Sequence, residues 1–192
     1  MLPAQVPTRH AKRVIDIVLA AAGLLLLSVL IVVVAIAIKL DSRGPIFCRK
    51  TLYGYGHRII RALKFRSMTI CTDADRSSST ATRVGRVLRQ TGIDELPQLF
   101  NVLLGDMSIV GPRAFASRLD LPRGHVMALE EFSPGMTGRA QLMESWEGLA
   151  TAEQRRDEDL HYVENWSLLL DLKIVLMTVF SQKPAASRSP EL

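Results

Sequence analysis

Two adjacent carboxylates, Asp94 and Glu95, precede a proline and an apolar run in the segment TGIDELPQLFNVLLGDMSIVGPRA. They suit the start of a helix, because aspartate is a good N-cap and Pro97 costs little in a first turn. They also suit phosphate chemistry, since a carboxylate pair can hold Mg²⁺ against a phosphorylated substrate and a carboxylate can act as a nucleophile. Taken alone, the local pattern favours the helix cap.

Basic side chains flank the carboxylate pair in several short segments. Guanidinium groups bind phosphate oxygens in bidentate pairs, and positive charge offsets the repulsion between an anionic nucleophile and an anionic substrate. A carboxylate pair among cations therefore indicates a diphosphate substrate and a divalent metal. The candidate cations are Lys64, Arg66, Arg86, Arg89 and Arg113.

A long apolar segment near the N-terminus would set this chemistry beside a membrane. Residues 17–38 contain no charged side chain. At about 1.5 Å per residue they form a helix of roughly 33 Å, enough to cross a bilayer core. A wholly buried core helix and a cleaved signal peptide are the alternatives. The block is apolar on every side and too long for a signal peptide, so a retained anchor is favoured.

Both flanks of the apolar segment are basic, which bears on its topology. The positive-inside rule cannot hold at both flanks if the helix spans the bilayer, whereas a re-entrant helix keeps both on the cytoplasmic side. Re-entry needs a break, and Gly23 and Ser28 are the candidates, although neither breaks a helix as strongly as proline. Re-entry is favoured, and a spanning helix stays open. The basic residues are Arg9, Lys12 and Arg13 before the segment, and Lys39, Arg43, Arg49 and Lys50 after it.

The rest of the chain predicts an α+β fold, mostly helical, with a small β element and surface amphipathic helices. Turn signals precede two short strands in DSRGPIFCRK and YGYGHRIIRALKFRSM, and DMSIVGPR predicts a third. RVGRVLRQT predicts a short basic helix, and the next helix is expected from Asp94 to Gly105. The polar segment 71–85 predicts a mobile surface loop.

Residues 151–180 also predict helix, starting at the cap signal TAEQ. Their apolar end, SLLLDLKIVLMTVF, fits either a core helix or an amphipathic helix on the membrane surface, and both interpretations stay open. The expected organisation is a flexible N-terminus over 1–11, a membrane helix over 12–40, a compact cytoplasmic domain over 41–180 and a disordered tail over 181–192.

Charge is distributed unevenly along the 192 residues. Residues 1–100 hold 15 Lys or Arg against 6 Asp or Glu, a net charge of +9, whereas residues 101–192 hold 9 against 13, a net charge of −4. A basic half fits anionic lipid or a phosphorylated ligand, and no aromatic-basic interleaving of the RNA-binding type supports nucleic acid. The two cysteines and four histidines show no zinc-site spacing and no disulfide framework, which fits a reducing compartment.

Six segments carry a resemblance to a known family: KRVIDIVLAAAGLLLLS, KLDSRGPIFCRK, LKFRSM, LRQTGIDELPQLFNVLLGDMSIVGPR, SPGMTGRAQ and YVENWSLLLDLKIVLMT. They occur in the family's order, cover residues 12–180, and include the highly specific run DELPQLFNVLLGDMSIVGPR. On these segments the chain resembles the bacterial sugar transferases, the monotopic phosphoglycosyl transferases. It resembles their minimal catalytic form, without the N-terminal helices and domain of longer relatives.

The resemblance implies a phosphoglycosyl transferase. Such enzymes move a sugar-1-phosphate from a nucleotide diphosphate sugar, expected here to be a UDP-sugar, to polyprenyl (undecaprenyl) phosphate, and they release UMP. The reaction takes place at the cytoplasmic face of the bacterial inner membrane. It begins the synthesis of an exopolysaccharide, a lipopolysaccharide or a glycoconjugate. The implied partners are the donor, the acceptor and membrane lipid, without nucleic acid and with a homo-oligomer left open.

The resemblance also implies roles for individual residues. Asp94 would be the nucleophile of a covalent aspartyl phospho-sugar intermediate, and Glu95 would assist it with Mg²⁺, so that both are candidate metal ligands. The PGMTGRAQ turn matches a part of the family site near the nucleotide. The residues expected to bind substrate are Lys64, Arg66, Arg89, Arg113 and Gln141.

Some positions depart from the family pattern. Ser28-Val29 replaces the Ser-Pro pair that breaks the family's membrane helix midway. Ala114 replaces a proline after the GPR motif, and Arg139 replaces a tryptophan in the turn before Gln141. The last two changes are expected to affect donor choice or local shape rather than the nucleophile.

A second class of function competes with the transferase. A catalytically inactive, membrane-anchored adaptor that binds lipid or protein partners would have the same apolar segment and the same basic half. The joint presence of Lys64, Arg89 and Arg113 with the carboxylate pair favours the enzyme.

Overall fold

The computed structural model describes residues 6–55, 58–69, 80–117, 127–147 and 151–180. Most of these residues are helical, and their strands form two separate two-stranded sheets, which is compatible with the predicted α+β fold. Most of the expected surface loop and the whole expected C-terminal tail lie outside the described residues. The helices are α1 Val6–Leu26, α2 Ser28–Asp41, α3 Arg83–Thr91, α4 Gln98–Leu104, α5 Met127–Glu130, α6 Arg139–Glu147, α7 Ala152–Glu164 and α8 Leu168–Phe180; the strands are β1 Phe47–Tyr53, β2 Ile59–Phe65, β3 Ser108–Val110 and β4 Gly135–Thr137.

The apolar N-terminal segment forms two helices where the sequence predicted one. Among the described residues no single helix is long and apolar enough to cross a membrane. The helices His10–Leu26 and Ser28–Asp41 together have the necessary length and composition, and they are bent by 61° relative to each other. The break is at Leu27, directly before the candidate Ser28 and without a proline. Helix α1 begins at Val6, so residues 6–11 are helical where a flexible terminus was expected.

The bend lets the two halves of the apolar segment pack on different parts of the domain. Ala20 of α1 joins a core cluster with residues of β2 and α4, whereas Val34 and Ile38 of α2 join a second cluster with Phe65 and Leu88. A straight helix could not reach both clusters. We call the bent pair α1–α2 the membrane hairpin, after the membrane helix that the sequence predicts for these residues.

The strands β1 and β2 form an antiparallel hairpin whose register runs from Phe47 opposite Phe65 to Tyr53 opposite Ile59. Ile60 and Ala62 alternate into the core, as expected for a half-buried strand. Cys48 of β1 is disulfide-bonded, which the sequence did not lead us to expect, and the other cysteine, Cys71, lies outside the described residues.

Local signals fix the helix α3. The Thr82 side chain accepts a hydrogen bond from the Gly85 N–H at its start, and Gly92 ends it with φ 73° in the left-handed region. A 3₁₀ turn, Ile93–Glu95, follows, and α4 then covers Gln98–Leu104, with Gly105 as its C-cap. The predicted helix start at Asp94 was therefore wrong, because α3 and α4 meet through this turn and Pro97 occupies the N-cap position of α4.

The C-terminal part packs around the short parallel pair β3–β4, in which Ser108 lies opposite Gly135 and Val110 opposite Thr137. The Thr151 capping box predicted by TAEQ starts α7. Helix α8 buries Asp171 and Ile174 on one side and exposes apolar residues on the other, so it packs on the domain, and its location at a membrane surface stays a prediction. The exposed apolar side chains of α8 are Leu168, Leu169, Leu172, Leu176, Val179 and Phe180.

Candidate active site

The carboxylate pair lies on the 3₁₀ turn between α3 and α4. The turn is closed by hydrogen bonds from the Glu95 N–H to the Gly92 carbonyl, at 3.1 Å, and from the Leu96 N–H to the Ile93 carbonyl, at 3.2 Å. Asp94 is buried, with 7% of its surface exposed, and the side chain of Glu95 is 42% exposed. The two neighbouring carboxylates thus sit at different depths on one rigid turn.

Lys64 of β2 joins the pair from the side. Its Nζ donates to Glu95 Oε1 at 2.6 Å and lies 3.9 Å from Asp94 Oδ2. The β1–β2 register fixes Lys64 near the end of β2, opposite Cys48, and β2 packs against the 3₁₀ turn. A single ammonium therefore touches both carboxylates, and these three groups together carry one net negative charge. We call Lys64, Asp94 and Glu95 the carboxylate cluster.

Arg89 precedes Asp94 by five residues and belongs to α3, the helix before the 3₁₀ turn. It lies in the last turn of α3, which packs against the 3₁₀ turn, and its side chain is half-buried. A cation in the last turn also suits the helix dipole.

Arg66 is oriented toward the membrane hairpin. It is buried, and its guanidinium donates to the Ser42 carbonyl at 2.6 Å, to Ser42 Oγ at 2.8 Å and to the Arg43 carbonyl at 2.8 Å. A longer bond of 3.4 Å reaches the Ile38 carbonyl. These acceptors are the last carbonyls of α2 and the turn after it, so Arg66 caps that helix. The substrate-binding role expected for Arg66 gains no support from this geometry.

Arg113 and Gln141 lie in a second polar region, built by α6, α7 and the segment after β3. The Arg113 guanidinium pairs with Glu144, whose other oxygen accepts from Arg155 Nη2 at 2.7 Å. Gln141 donates weakly to the Met136 carbonyl at 3.4 Å, and its buried Oε1 has no hydrogen-bond partner among the described residues. We call this region, with Asp159, the arginine cluster.

Close backbone contacts hold the arginine cluster together. A Cβ on Gly111 would lie 2.4 Å from the Ser133 carbonyl oxygen, and one on Gly138 would lie 2.2 Å from the Gly111 carbonyl oxygen. Only glycine permits such an approach at these two positions. The GPR and SPGMTG motifs are therefore neighbours in space because their glycines let the two backbones touch.

Sequence reasoning missed three residues of the arginine cluster, namely Glu144, Arg155 and Asp159. Asp159 is fully buried, and its Oδ2 accepts from the Arg113 N–H and from the Tyr55 hydroxyl, both at 3.0 Å. Burial raises the pKa of Asp159 to about 7, against the lowering effect of these two hydrogen bonds. The helical spacing of Arg155, Asp159 and Tyr162 was the available signal, since i and i+4 share a face.

The family comparison supports the sequence resemblance. The model of the family described as bacterial sugar transferase matches residues 7–183. The chain belongs to the bacterial sugar transferase family. Of the seven site residues that the sequence predicted, the carboxylate cluster contains Lys64, Asp94 and Glu95, and the arginine cluster contains Arg113 and Gln141. Arg66 and Arg89 lie outside both clusters.

Several curated bacterial proteins are similar to this chain. The chain is 40% identical over 184 residues to UDP-glucose:undecaprenyl-phosphate glucose-1-phosphate transferase of Klebsiella pneumoniae, covering 88% of this chain and 39% of that protein. It is 44% identical over 183 residues to the protein of the same name from Caulobacter vibrioides, covering 88% and 68%. It is 40% identical over 191 residues to exopolysaccharide production protein PSS of Rhizobium leguminosarum bv. phaseoli, covering 89% and 94%. The chain thus spans about two fifths of the first of these bacterial sugar transferases and nearly all of the last.

Mg²⁺ at the carboxylate pair stays a prediction. Across the described ranges, His, Cys, Asp and Glu side chains form no group of three that could hold a metal ion. Asp94 and Glu95 nevertheless supply two hard oxygen donors on adjacent residues, and Mg²⁺ commonly binds through one or two carboxylates together with substrate phosphates. In a bacterial sugar transferase the phosphates of the donor would complete such a site.

Proposed function

We propose that this chain transfers a sugar-1-phosphate from a UDP-sugar to polyprenyl (undecaprenyl) phosphate. The observation that carries the proposal is the carboxylate cluster, in which a buried Asp94 lies beside the Lys64–Glu95 ion pair. Relatives whose names state this activity support it. A buried carboxylate next to one cation and one more exposed carboxylate suits a nucleophile that meets an anionic substrate.

The proposed reaction has two displacements. In the first, an Asp94 carboxylate oxygen attacks the β-phosphorus of the UDP-sugar, the bond from that phosphorus to the bridging oxygen breaks, and UMP leaves. In the second, a phosphate oxygen of polyprenyl phosphate attacks the same phosphorus, the bond to Asp94 breaks, and polyprenyl diphospho-sugar leaves. Asp94 returns as a free carboxylate, so the aspartyl phospho-sugar is a true intermediate.

The residues around Asp94 have distinct parts in this proposal. Asp94 and Glu95 would hold Mg²⁺, which supplies charge neutralisation at the phosphate oxygens. Lys64 holds Glu95 in place and brings a positive charge within 3.9 Å of Asp94. Arg89 and Arg113 would bind phosphate oxygens, for which guanidinium geometry is well suited.

The nucleotide would lie toward the arginine cluster. Gln141 has a buried amide oxygen without a partner in the described part of the chain, and the Glu144 carboxylate already bridges two guanidinium groups there. A carboxylate that bridges two guanidinium groups occupies the kind of position that a phosphate can take. Arg66 is left out of the proposed site because it caps α2.

The membrane hairpin would enter and leave the membrane on the same side. At its start, Arg13 donates to the Val102 and Leu103 carbonyls at 2.5 and 2.7 Å, and Asp16 accepts from Ser108 Oγ and the Ile109 N–H at 2.8 and 2.9 Å. At its end, Arg66 caps α2. Both ends are thus bonded to one domain, which supports a re-entrant topology with that domain on the cytoplasmic face of the inner membrane.

One experiment tests the proposed function against the adaptor alternative. The purified chain in mixed micelles is offered a panel of nucleotide sugars with short polyprenyl phosphate and Mg²⁺, and nucleotide monophosphate release is measured. We expect UMP release that depends on Asp94 and disappears in Asp94→Asn, while that variant still associates with membranes.

Mass spectrometry should find a phospho-sugar adduct on Asp94 when the acceptor is omitted. An adaptor would release no nucleotide from any donor, and normal turnover by Asp94→Asn would remove Asp94 as the nucleophile.

A further inference from the structure

The segment that carries Arg113 runs between two separate β pairings. On one side the Gly111 N–H donates to the Thr137 carbonyl at 3.0 Å, which extends the β3–β4 pairing. On the other side Phe115 and Tyr53 exchange two backbone hydrogen bonds of 2.8 Å, which extends the β1–β2 hairpin. Arg113 lies midway, where its N–H points to neither strand.

A buried side chain takes the place of the missing strand at this point. Asp159 Oδ2 accepts the Arg113 N–H at 3.0 Å and the Tyr55 hydroxyl at 3.0 Å. The Tyr55 ring in turn packs edge-on against Phe115, with ring centroids 5.5 Å apart. One carboxylate oxygen thus joins α7 to the segment 111–115 and to the end of the β1–β2 hairpin. Because a buried N–H needs an acceptor, the path of the Arg113 main chain depends on this oxygen.

The Arg113 side chain has its own, separate partner. Its guanidinium pairs with Glu144 of α6, and Glu144 also binds Arg155 of α7. Two acidic residues therefore hold Arg113 at its two ends, Asp159 through the main chain and Glu144 through the guanidinium. A phosphate that competes for the guanidinium would leave the main-chain bond to Asp159 intact.

From this geometry we propose that Asp159 is a positioning residue of the transferase, which fixes the main chain of Arg113 so that its guanidinium stays aimed at the donor phosphates. The inference rests on the proposed function for the identity of the substrate. Asp159 acts by accepting hydrogen bonds, and its other oxygen, Oδ1, is buried without a hydrogen-bond partner among the described residues. An acceptor of the same shape without a negative charge should therefore serve as well.

Two variants of similar shape distinguish the effect of the hydrogen-bond acceptor at position 159 from the effect of side-chain volume. Asp159→Asn keeps an oxygen acceptor, whereas Asp159→Leu keeps the branched shape and removes the acceptor. Asp157→Ala is the control, because Asp157 is an exposed carboxylate of the same helix whose side chain is 66% exposed. We expect kcat/KM for UMP release to fall about 100-fold in Asp159→Leu, the loss typical of a reactive group misplaced by 1 Å, with little change in the other two.

A double-variant comparison distinguishes positioning from a general loss of stability. In an Arg113→Ala background, Asp159→Leu should cause no further fall in kcat/KM, because the residue it positions is already absent. An equal fall in both backgrounds, or full activity in Asp159→Leu, would overturn the proposal.

Amide hydrogen exchange supplies a readout that does not depend on the reaction. The peptide containing residues 111–115 should exchange faster in Asp159→Leu than in wild type, Asp159→Asn or Asp157→Ala. Unchanged exchange in Asp159→Leu would overturn the positioning role. If no UMP is released by the wild-type chain, the proposed function fails, while this exchange measurement still decides whether Asp159 fixes the Arg113 main chain.

Discussion

Lys64 is the residue on which the balance of charge in the carboxylate cluster depends. Its ammonium is 2.6 Å from Glu95 Oε1 and 3.9 Å from Asp94 Oδ2, and it extends from a strand whose register is fixed by seven pairs. Without Lys64, the two adjacent carboxylates would lose the ammonium that offsets part of their negative charge. A nucleophile surrounded by negative charge is a poor partner for a diphosphate, so the effect belongs to catalysis as well as to folding.

We predict that Lys64→Ala lowers kcat/KM for UMP release by roughly 100-fold or more, the usual loss when one preorganised charge is removed from a site. The measurement is nucleotide release from a UDP-sugar at fixed Mg²⁺ and polyprenyl phosphate. Arg61→Ala is the matched control, since Arg61 is an exposed cation on the same strand. Equal losses in the two variants would mean that Lys64 acts only through the net charge of the surface.

Asp159 gives a second prediction at the residue scale, concerning pH. Burial raises its pKa from 3.8 to about 7, while hydrogen bonds from Arg113 and Tyr55 lower it and Glu158 raises it. Between pH 4 and pH 7 the folded state therefore keeps a proton on Asp159 that the unfolded state has lost. The stability that this proton gives the folded state is fully present below pH 4 and is lost as the pH rises through about 7. It amounts to at most about 4 kcal/mol.

Asp159→Asn removes this titration and keeps the acceptor. We predict that the unfolding free energy of Asp159→Asn, relative to wild type, increases between pH 4 and pH 8. Chemical denaturation in detergent at several pH values measures the difference, with Asp157→Asn as the exposed control. A difference that does not vary with pH would show that Asp159 titrates normally.

At the scale of elements, the end of α2 depends on Arg66 and on one glycine. Gly44 has φ +135°, and a Cβ there would lie 1.8 Å from an Arg66 guanidinium nitrogen. The glycine thus leaves the room in which the guanidinium reaches the last carbonyls of α2. This arrangement couples the end of the β1–β2 hairpin to the end of the membrane hairpin.

We predict that Arg66→Met lowers the unfolding free energy by about 2–4 kcal/mol, because the buried guanidinium loses several charge-assisted hydrogen bonds to main-chain carbonyls. The KM for the UDP-sugar should be unchanged in the protein that remains folded. Thermal unfolding and donor titration measure the two quantities separately, and Arg61→Met provides the surface comparison. A raised KM with unchanged stability would return Arg66 to the substrate site.

The elements that the sequence predicted well are those with local signals. Helix α3 was predicted to the residue, and its local caps, Thr82 and Gly92, explain why a short segment suffices. The two strands β1 and β2 were predicted from their turn signals but without bounds. The start of α4 was misplaced, because Pro97 could end one structure or begin another and only packing decides. The role of Asp159 was missed altogether, since its partners, Tyr55 and Arg113, lie 104 and 46 residues away in the chain.

At the scale of the whole molecule, the membrane hairpin is attached to the domain at both ends. Two of the three cations counted at its start are occupied inside the protein, with Arg13 on the C-terminal carbonyls of α4 and Lys12 on Asp171 of α8. Because these side chains are paired inside the protein, their charges are weak evidence for the side of the membrane on which the flank lies. The topology is therefore better argued from attachment than from charge counts.

Labelling of introduced cysteines tests this topology. In a variant whose native cysteines are serine, single cysteines at the exposed positions His10 and Pro45 should both react with a membrane-impermeant reagent in inside-out vesicles. Neither should react in intact cells whose outer membrane has been permeabilised. Labelling from opposite sides would mean that the bent pair spans the bilayer.

The contact between Lys12 and Asp171 joins residues 159 positions apart, so the order of synthesis bears on it. At about 5–20 residues per second, the ribosome needs roughly 8–30 s to make the partner of Lys12 after Lys12 itself. Lys12 therefore exists for many seconds on the nascent chain without this carboxylate, while its other acceptor, the Val110 carbonyl, is made earlier. The bent pair can complete its attachment to the domain only after α8 has been synthesised.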